Sequence, residues 1–386
     1  MLRKEIQKHL ENNLIPFWLR LVDDKGGFYG YMDYDLKVDE TAEKGCILNS
    51  RITWFFSNAY LLEKDAKLLE AAKHGFDFMV EKCFDNKNGG VYWSLDSDGN
   101  PLDTTKHTYN QAFAIYALCA YFEASNDEKA LELAKQLFEL IEIKCTDEYG
   151  YLEAFTIDFK PESNEKLSEN GVMAQKTMNT ILHVLEAYTQ LYKLTRSESV
   201  LDALMRIFDI FESKIFDPKK KRQEVFFDKY YNSIIDLHSY GHDIETAWLV
   251  DRALEVIGDE GLKKRIAPIT EILENNIYEI AFDGHSLANE CEKGVVNKHR
   301  VWWVQAESVV GFINAWQKSK DTKFYDAAFN EWIFIKDYVI DKRENSEWYW
   351  EVDENGVPFE NRPIVEPWKC PYHNGRMCFE IINRLK

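Results

Sequence analysis

A weak internal repeat constrains this chain more than any other feature. A short glycine- and aromatic-rich segment recurs six times: GGFYGYMDYD from residue 26, GGVYWSLDSDGN from 89, YGYLEAF from 149, EVFFDKYYN from 224, FDGHSLANE from 282 and EWYWEVDENG from 347. Successive starts lie about sixty to seventy-five residues apart, a period of the solenoid or toroid kind. Alternating aromatics closed by Asp or Gly read as short strands or hairpins.

Each segment leads through a polar loop into a helix-like stretch, at 49–60, 108–121, 177–192, 242–256, 301–316 and 373–385. A second, more charged set of amphipathic helices precedes the segments, at 2–19, 66–84, 128–143, 197–216, 261–280 and 322–339. Helices of the first set, such as NSRITWFFSNAY and HTYNQAFAIYALCAY, carry apolar residues on more than one face, which marks buried helices. Six buried and six amphipathic helices predict an all-α, (α/α)6 barrel with short β-hairpins in the loops at one mouth. An open helical solenoid ranks below it, because it would expose the aromatic helices. No linker rich in Pro, Gly or Ser divides the chain, so residues 1–386 are expected to form one catalytic domain. The basic run 219–222 reads as a solvated loop.

Composition narrows the partners. With 47 basic against 66 acidic residues the net charge is −19, which disfavours nucleic acid and anionic membrane. Seven cysteines, an odd number without a CxxC pair, fit a reducing compartment, with Cys119 and Cys378 as small core residues. The first eighteen residues form an amphipathic pattern with charges throughout, unlike a signal peptide, and no segment has the length of a membrane span. A cytoplasmic protein, as a monomer or weak homodimer, is the expectation.

The heads of the buried helices carry the chemistry-bearing side chains. In chain order they offer Arg51; His107, Tyr109 and Asn110; Asn179 and His183; His238, His242 and Glu245; Trp302, Trp303 and Glu307; and His373 with Arg376. A closed ring brings all six heads to one pocket. At helical spacing His238, His242 and Glu245 fall near one face. Each residue alone has an ordinary reading: His183 as a satisfied core histidine, the tryptophans as core aromatics, Glu245 as a partner of the helix dipole. Their recurrence at equivalent positions argues for a site.

Three chemistries compete for this set. A zinc ion on His238 and His242 lacks the H-E-x-x-H pattern, and Gly241 between them argues against a continuous helix there. A glycoside hydrolase could use Glu245 and Glu307 as its carboxylate pair but leaves the histidines idle. Histidine-based proton abstraction beside a carbonyl uses more of the set: two acid/base groups, a cation for the developing oxyanion and aromatic platforms for a sugar. There is no GxGxxG segment, phosphate loop or nucleophile elbow, so nothing requires a cofactor or a metal.

At these same residues the chain resembles the N-acylglucosamine 2-epimerase superfamily, and within it the cellobiose 2-epimerases. The segments that carry the resemblance run nearly end to end: GGFYGYMDYD, KGCILNSRITWFFSNAY, KHTYNQAFAIYAL, KTMNTILHVLEAY, HSYGHDIETAWL, RVWWVQAESVVGFINA and PWKCPYHNGRMC. The resemblance implies an (α/α)6 barrel acting without cofactor on the reducing-end sugar of β-1,4-linked disaccharides. It implies His242 and His373 as paired acid/base groups, Glu245 as their support, orienting His242 across one helical turn, and Arg51 facing the sugar oxygens. Tyr109, Asn179, His183 and Glu307 match pocket positions, and Trp303 and Trp368 match aromatic walls. N-acetylglucosamine 2-epimerase and monosaccharide aldose–ketose isomerase activities are the near alternatives. A glycoside hydrolase or a non-catalytic sugar-binding toroid is more distant.

Overall fold

The joints between paired helices are the shortest connections in the chain, and they create the pairing. In the structure, a computed structural model that describes residues 1–168 and 170–386, the helices Cys46–Glu63, Thr108–Ser125, Met178–Thr195, Tyr240–Ile257 and Trp302–Ser319 each run for 18 residues. Each stops on one left-handed residue: Lys64, Asn126, Arg196, Gly258 and Lys320. The next residue, Asp65, Asp127, Ser197, Asp259 or Asp321, already begins the following helix. The four aspartates accept a hydrogen bond from an amide of the first turn. A left-handed stop followed at once by an N-cap reverses the chain and lays the second helix along the first.

The first helix of each pair packs against the first helix of the next pair, and His373–Arg384 returns to Cys46–Glu63. Its outer partner comes from the other end of the chain: the helical run Leu2–His9, Leu10–Leu14 and Ile15–Leu19. Arg3 ties the two by donating to the Ile382 carbonyl at 3.0 Å. The result is an (α/α)6 barrel, as the repeat predicts. Among the described residues of Thr108–Ser125, only Phe122, Glu123 and Ser125 are not buried, which explains the apolar circumference of the inner set.

The glycine- and aromatic-rich segments lie at the mouth and staple each repeat to the one before. A two- or three-residue strand ahead of five of the inner helices pairs antiparallel with a strand of the next repeat: Lys44–Gly45 with Ser94–Leu95, Lys106–His107 with Ala154–Phe155, and Lys176–Thr177 with Phe226–Phe227. Leu237–Ser239 pairs in the same way with Glu290–Glu292, and Arg300–Val301 with Glu351–Val352. The ring closes where Met32 donates to the Val365 carbonyl at 3.0 Å and accepts from the Ile364 amide at 2.9 Å. The staple also serves the helix heads, whose first amides lack intrahelical partners. Cys46 N–H donates to Trp93 O at 3.0 Å, Thr108 to Glu153 at 3.0 Å, Met178 to Val225 at 2.9 Å and Trp302 to Trp350 at 2.9 Å.

A buried cation stands just ahead of most inner helices and pairs with an acid of its own repeat. The pairs are Lys44–Asp23 at 2.5 Å, Lys106–Asp85 at 3.1 Å, Lys176–Asp147 at 2.5 Å, Arg300–Asp283 at 2.5 Å, and Lys369–Glu347. In the fourth repeat this place belongs to His238, which lies in a strand and meets Asp243 at 2.7 Å. His238 is therefore not on a helical face with His242 and Glu245, contrary to the spacing argument. No continuous helix joins His238 to His242, as expected, although the break falls at Ser239 rather than at Gly241, which lies inside the helix that starts at Tyr240.

Candidate active site

Equal rank on the inner helices sets the floor of the site. Arg51, Phe113, His183, Glu245 and Glu307 are each the sixth residue of their helix, one and a half turns from the head. Tyr109, Asn179 and Trp303 are each second, and stand nearer the mouth. His242 is third on its helix and His373 opens the last one. A cavity of about 550 Å³ sits over this floor. It is lined by Arg51, Tyr109, Asn179, His183, His242, Glu245, Trp303, Trp368 and His373, nine of the ten residues expected there.

Glu307 is the tenth, and it lies behind the wall rather than in it. Its Oε1 meets His373 Nδ1 at 2.7 Å, and its Oε2 accepts from Trp248 Nε1 at 3.0 Å. Glu245 does not touch His242. It accepts from Arg376 Nη2 and lies 3.9 Å from His373 Nδ1. The partner of His242 is Ser239, whose Oγ is 2.7 Å from Nδ1. Helical spacing placed Glu245 one turn from His242, but the two side chains leave the helix toward different neighbours.

Trp303 packs near both histidines. Its ring centroid lies 4.7 Å from that of His242 and 5.5 Å from that of His373. Gly241 makes room for it, since a Cβ there would sit 2.6 Å from the indole. Arg51 is buried and held from several sides. It donates to Tyr109 Oη at 2.8 Å and lies 4.1 Å from the centre of the Phe113 ring and 4.8 Å from that of Tyr372.

Beneath the cavity a buried guanidinium gathers the acids. Arg376 donates to Glu186 at 2.6 Å, to Glu307 at 2.7 Å, and to Glu245 and the Tyr372 hydroxyl. Glu186 in turn holds His183 Nδ1 at 3.0 Å. Burial pushes the Glu186 carboxyl up, but Arg376, His183 and Tyr372 outweigh it and hold it down at about 2. Burial, reinforced by Glu307, raises the Glu245 carboxyl to about 7. Burial, then His183, pushes His242 down to about 3. Burial, then Arg376 and Arg51, pushes His373 well below the ordinary histidine range. Both imidazoles of the free site are thus neutral near pH 7 and can accept a proton.

The comparisons with known proteins agree on one family. The profile described as N-acylglucosamine 2-epimerase (GlcNAc 2-epimerase) matches residues 27–374. The chain belongs to the N-acylglucosamine 2-epimerase family. The cellobiose 2-epimerase of Ruminococcus albus is 52% identical over 385 residues, covering 100% of this chain and 99% of that one. A sugar epimerase from a ruminal bacterium superposes with a TM-score of 0.98 at 52% identity, over 100% of this chain and 99% of that one. The cellobiose 2-epimerase of Bacillus thermoamylovorans B4167 superposes with a TM-score of 0.95 at 45% identity, over 99% of each chain. Membership of this family makes the chain an epimerase-type enzyme of carbohydrate chemistry.

Two rival site chemistries meet obstacles in this member of the family. His238 is spent on Asp243 and does not line the cavity, so His238 and His242 form no ligand pair. Among the described residues, Glu245, Glu307 and His373 do bring ligand atoms within 4.8 Å of one another. Arg376 Nη2 already bonds both carboxylates, so a metal ion there would have to displace a buried guanidinium. The same nitrogen ties Glu245 to Glu307, so they do not face each other across an open cleft as a hydrolase pair does.

Sequence reasoning named Arg376 without a role and missed Glu186, Tyr372 and Ser239. Glu186 had a signal, lying three residues after His183 on one helix face. Tyr372 had only its place beside His373. Ser239 had none, because its approach to His242 depends on how the strand turns into the helix.

Proposed function

We propose that this chain interconverts glucose and mannose at the reducing end of β-1,4-linked disaccharides, by removing and returning the proton at C2. Cellobiose would become glucosyl-mannose, lactose epilactose, and mannobiose mannosyl-glucose. The observation that carries this reading is the placement of His242 and His373 on different helices, both lining one cavity beside Trp303. Inversion removes the proton from one face of C2 and delivers it to the other, and one fixed side chain does not easily reach both.

In this scheme the pyranose opens to the aldehyde with His373 assisting. One neutral histidine takes the C2 hydrogen, acidified by the adjacent carbonyl. Arg51, locked by Tyr109 and Phe113, faces the enediolate oxygens, a contribution of about 3 kcal/mol for a well-placed donor. After rotation about C2–C3 the other histidine delivers a proton to the opposite face. Glu307, rather than Glu245, supports His373 through Nδ1, and Arg376 keeps Glu307 in place. Asn179 and His183 bind hydroxyls, and Trp303 and Trp368 supply flat apolar faces to the sugars.

Besides Trp303 and Trp368, Trp350 and Arg362 also line the cavity. That number of aromatic walls favours a disaccharide over N-acetylglucosamine or a free monosaccharide. The enzyme would work as one catalytic unit of residues 1–386, in the cytoplasm, as a monomer or weak homodimer, and without a cofactor. Among the described residues no helix is long and apolar enough to cross a membrane.

The test is product analysis in heavy water. Incubation with cellobiose should yield the C2 epimer, already carrying deuterium at C2 in the earliest product, with or without a chelator present. Faster turnover of N-acetylglucosamine would move the chain to the sister activity. Product that keeps the substrate hydrogen at C2 would exclude the two-histidine scheme.

A further inference from the structure

The two histidines are held by chemically different partners. His373 Nδ1 faces the Glu307 carboxylate at 2.7 Å. An ionised carboxylate only accepts, so Nδ1 of His373 must carry the proton. His242 Nδ1 faces a neutral hydroxyl, Ser239 Oγ, at the same distance of 2.7 Å. A hydroxyl can accept or donate, and so can serve either tautomer of the ring.

Ser239 is suited to hold a ring in place. It ends the strand Leu237–Ser239, in register with Glu290, and the next amide, Tyr240 N–H, donates to Asn289 O at 3.3 Å. The hydroxyl is therefore anchored to the neighbouring repeat and not only to the helix that bears His242. Ser239 is buried yet lines the cavity, and Trp303 packs on the same imidazole. The ring is clamped between an indole and a hydroxyl, with Nε2 left as its free nitrogen.

We propose that Ser239 is a positioning residue for the two-histidine reaction, orienting His242 through Nδ1 so that Nε2 meets the C2 hydrogen of one epimer. It touches the acid/base group and does not itself exchange a proton with the sugar. The proposal rests on the epimerase reading above.

The experiment compares the wild-type enzyme with Ser239→Ala on cellobiose and on its C2 epimer, measuring kcat, KM, the thermal midpoint and the rate of C2 hydrogen wash-out into heavy water. Partners that orient a metal-bound histidine are worth about 10–100-fold in activity, and the loss of the Ser239 hydroxyl should fall on the same scale. The expected result is a fall of that size in kcat for epimerisation, with KM within about twofold and an unchanged thermal midpoint. Wash-out should fall only from the epimer whose C2 hydrogen faces His242. The other epimer, served by His373 and Glu307, should exchange as in wild type. A general disturbance of the site would slow both wash-outs together, and that result would overturn the proposal. So would an alanine variant within about twofold of wild type in kcat. A wild-type enzyme that epimerises neither sugar would instead remove the reading beneath it, and is seen before any variant is made.

Discussion

The two ends of the barrel solve opposite problems. At the end opposite the mouth five inner helices turn back over two residues, a left-handed stop and an N-cap: Lys64-Asp65, Asn126-Asp127, Arg196-Ser197, Gly258-Asp259 and Lys320-Asp321. These joints repeat the same geometry, and their side chains cap or face solvent. At the mouth the same helices begin under long connections and staples, and each head carries a different side chain. Repetition at one end fixes where the helices stand. Divergence at the other uses those positions for chemistry. Stability and function should therefore separate by end, and four measurements bear on that separation.

The largest effect is expected at the mouth. His242→Ala and His373→Ala should each lower epimerisation by at least ~10³-fold, within the range for lost acid/base groups. Their thermal midpoints should stay near that of the wild type, because each exchange relieves a buried imidazole. Product analysis by NMR reads the first quantity and scanning calorimetry the second.

Arg376 tests where the separation fails. It lies below the mouth, bonded to three buried carboxylates. Arg376→Met leaves Glu186, Glu245 and Glu307 without their shared cation, which should destabilise the fold by about 3–5 kcal/mol in urea titration. Activity should fall as well, since Glu307 supports His373. A variant that loses activity at unchanged stability would show that the acids beneath the cavity serve the reaction alone.

The third measurement uses pH. His242 is held down at about 3, against an ordinary value of 6.5, so the folded chain binds fewer protons than the unfolded one between those limits. Stability from this group is then complete above about pH 6.5 and is lost as pH falls toward 3. Glu186, held at about 2 against 4.5, adds a loss in the same direction below 4.5. Glu245 works oppositely: raised to about 7, it favours the folded state at low pH and weakens it as pH rises from 4.5 toward 7. The thermal midpoint of His242→Gln should decline less than that of the wild type between pH 6.5 and 4.5. Parallel declines would show that His242 is charged in the folded chain.

The smallest effects belong to the end opposite the mouth. Asp321→Ala removes the hydrogen bond to Lys323 N–H and should cost about 1 kcal/mol. Lys320→Gly relieves a left-handed residue at φ 61° and should stabilise by up to ~1 kcal/mol. Both should keep wild-type kcat and KM. A change in either kinetic constant would show that the joints position the site more tightly than the comparison allows.

Much of the barrel is legible in the sequence, because it rests on periodicity. The six segments, the two helix classes and their alternation are properties of residue spacing, and the observed helix ends lie within a few residues of the expected ones. Nine of the ten expected site residues line one cavity because the heads of the inner helices converge in a closed ring. The errors share a cause. His238 was placed on a helix because His238, His242 and Glu245 have helical spacing, yet the chain is extended until Ser239. Glu245 was assigned to His242 because one turn separates them, and Glu307 to the pocket wall because it matched a pocket position. Both are drawn to Arg376, which comes from a helix more than sixty residues later.

The sequence by itself determined the ring, the convergence of the inner helix heads, and the residue types available for proton transfer. These follow from local rules: periodicity, capping and burial of apolar faces. Only the tertiary structure decided which nitrogen of each histidine is occupied, and by what. Ser239 reaches His242 through a strand turn, and Glu307 reaches His373 across the gap between two helices. Such pairings depend on side-chain directions at distances of a few ångströms, which spacing along a chain does not encode.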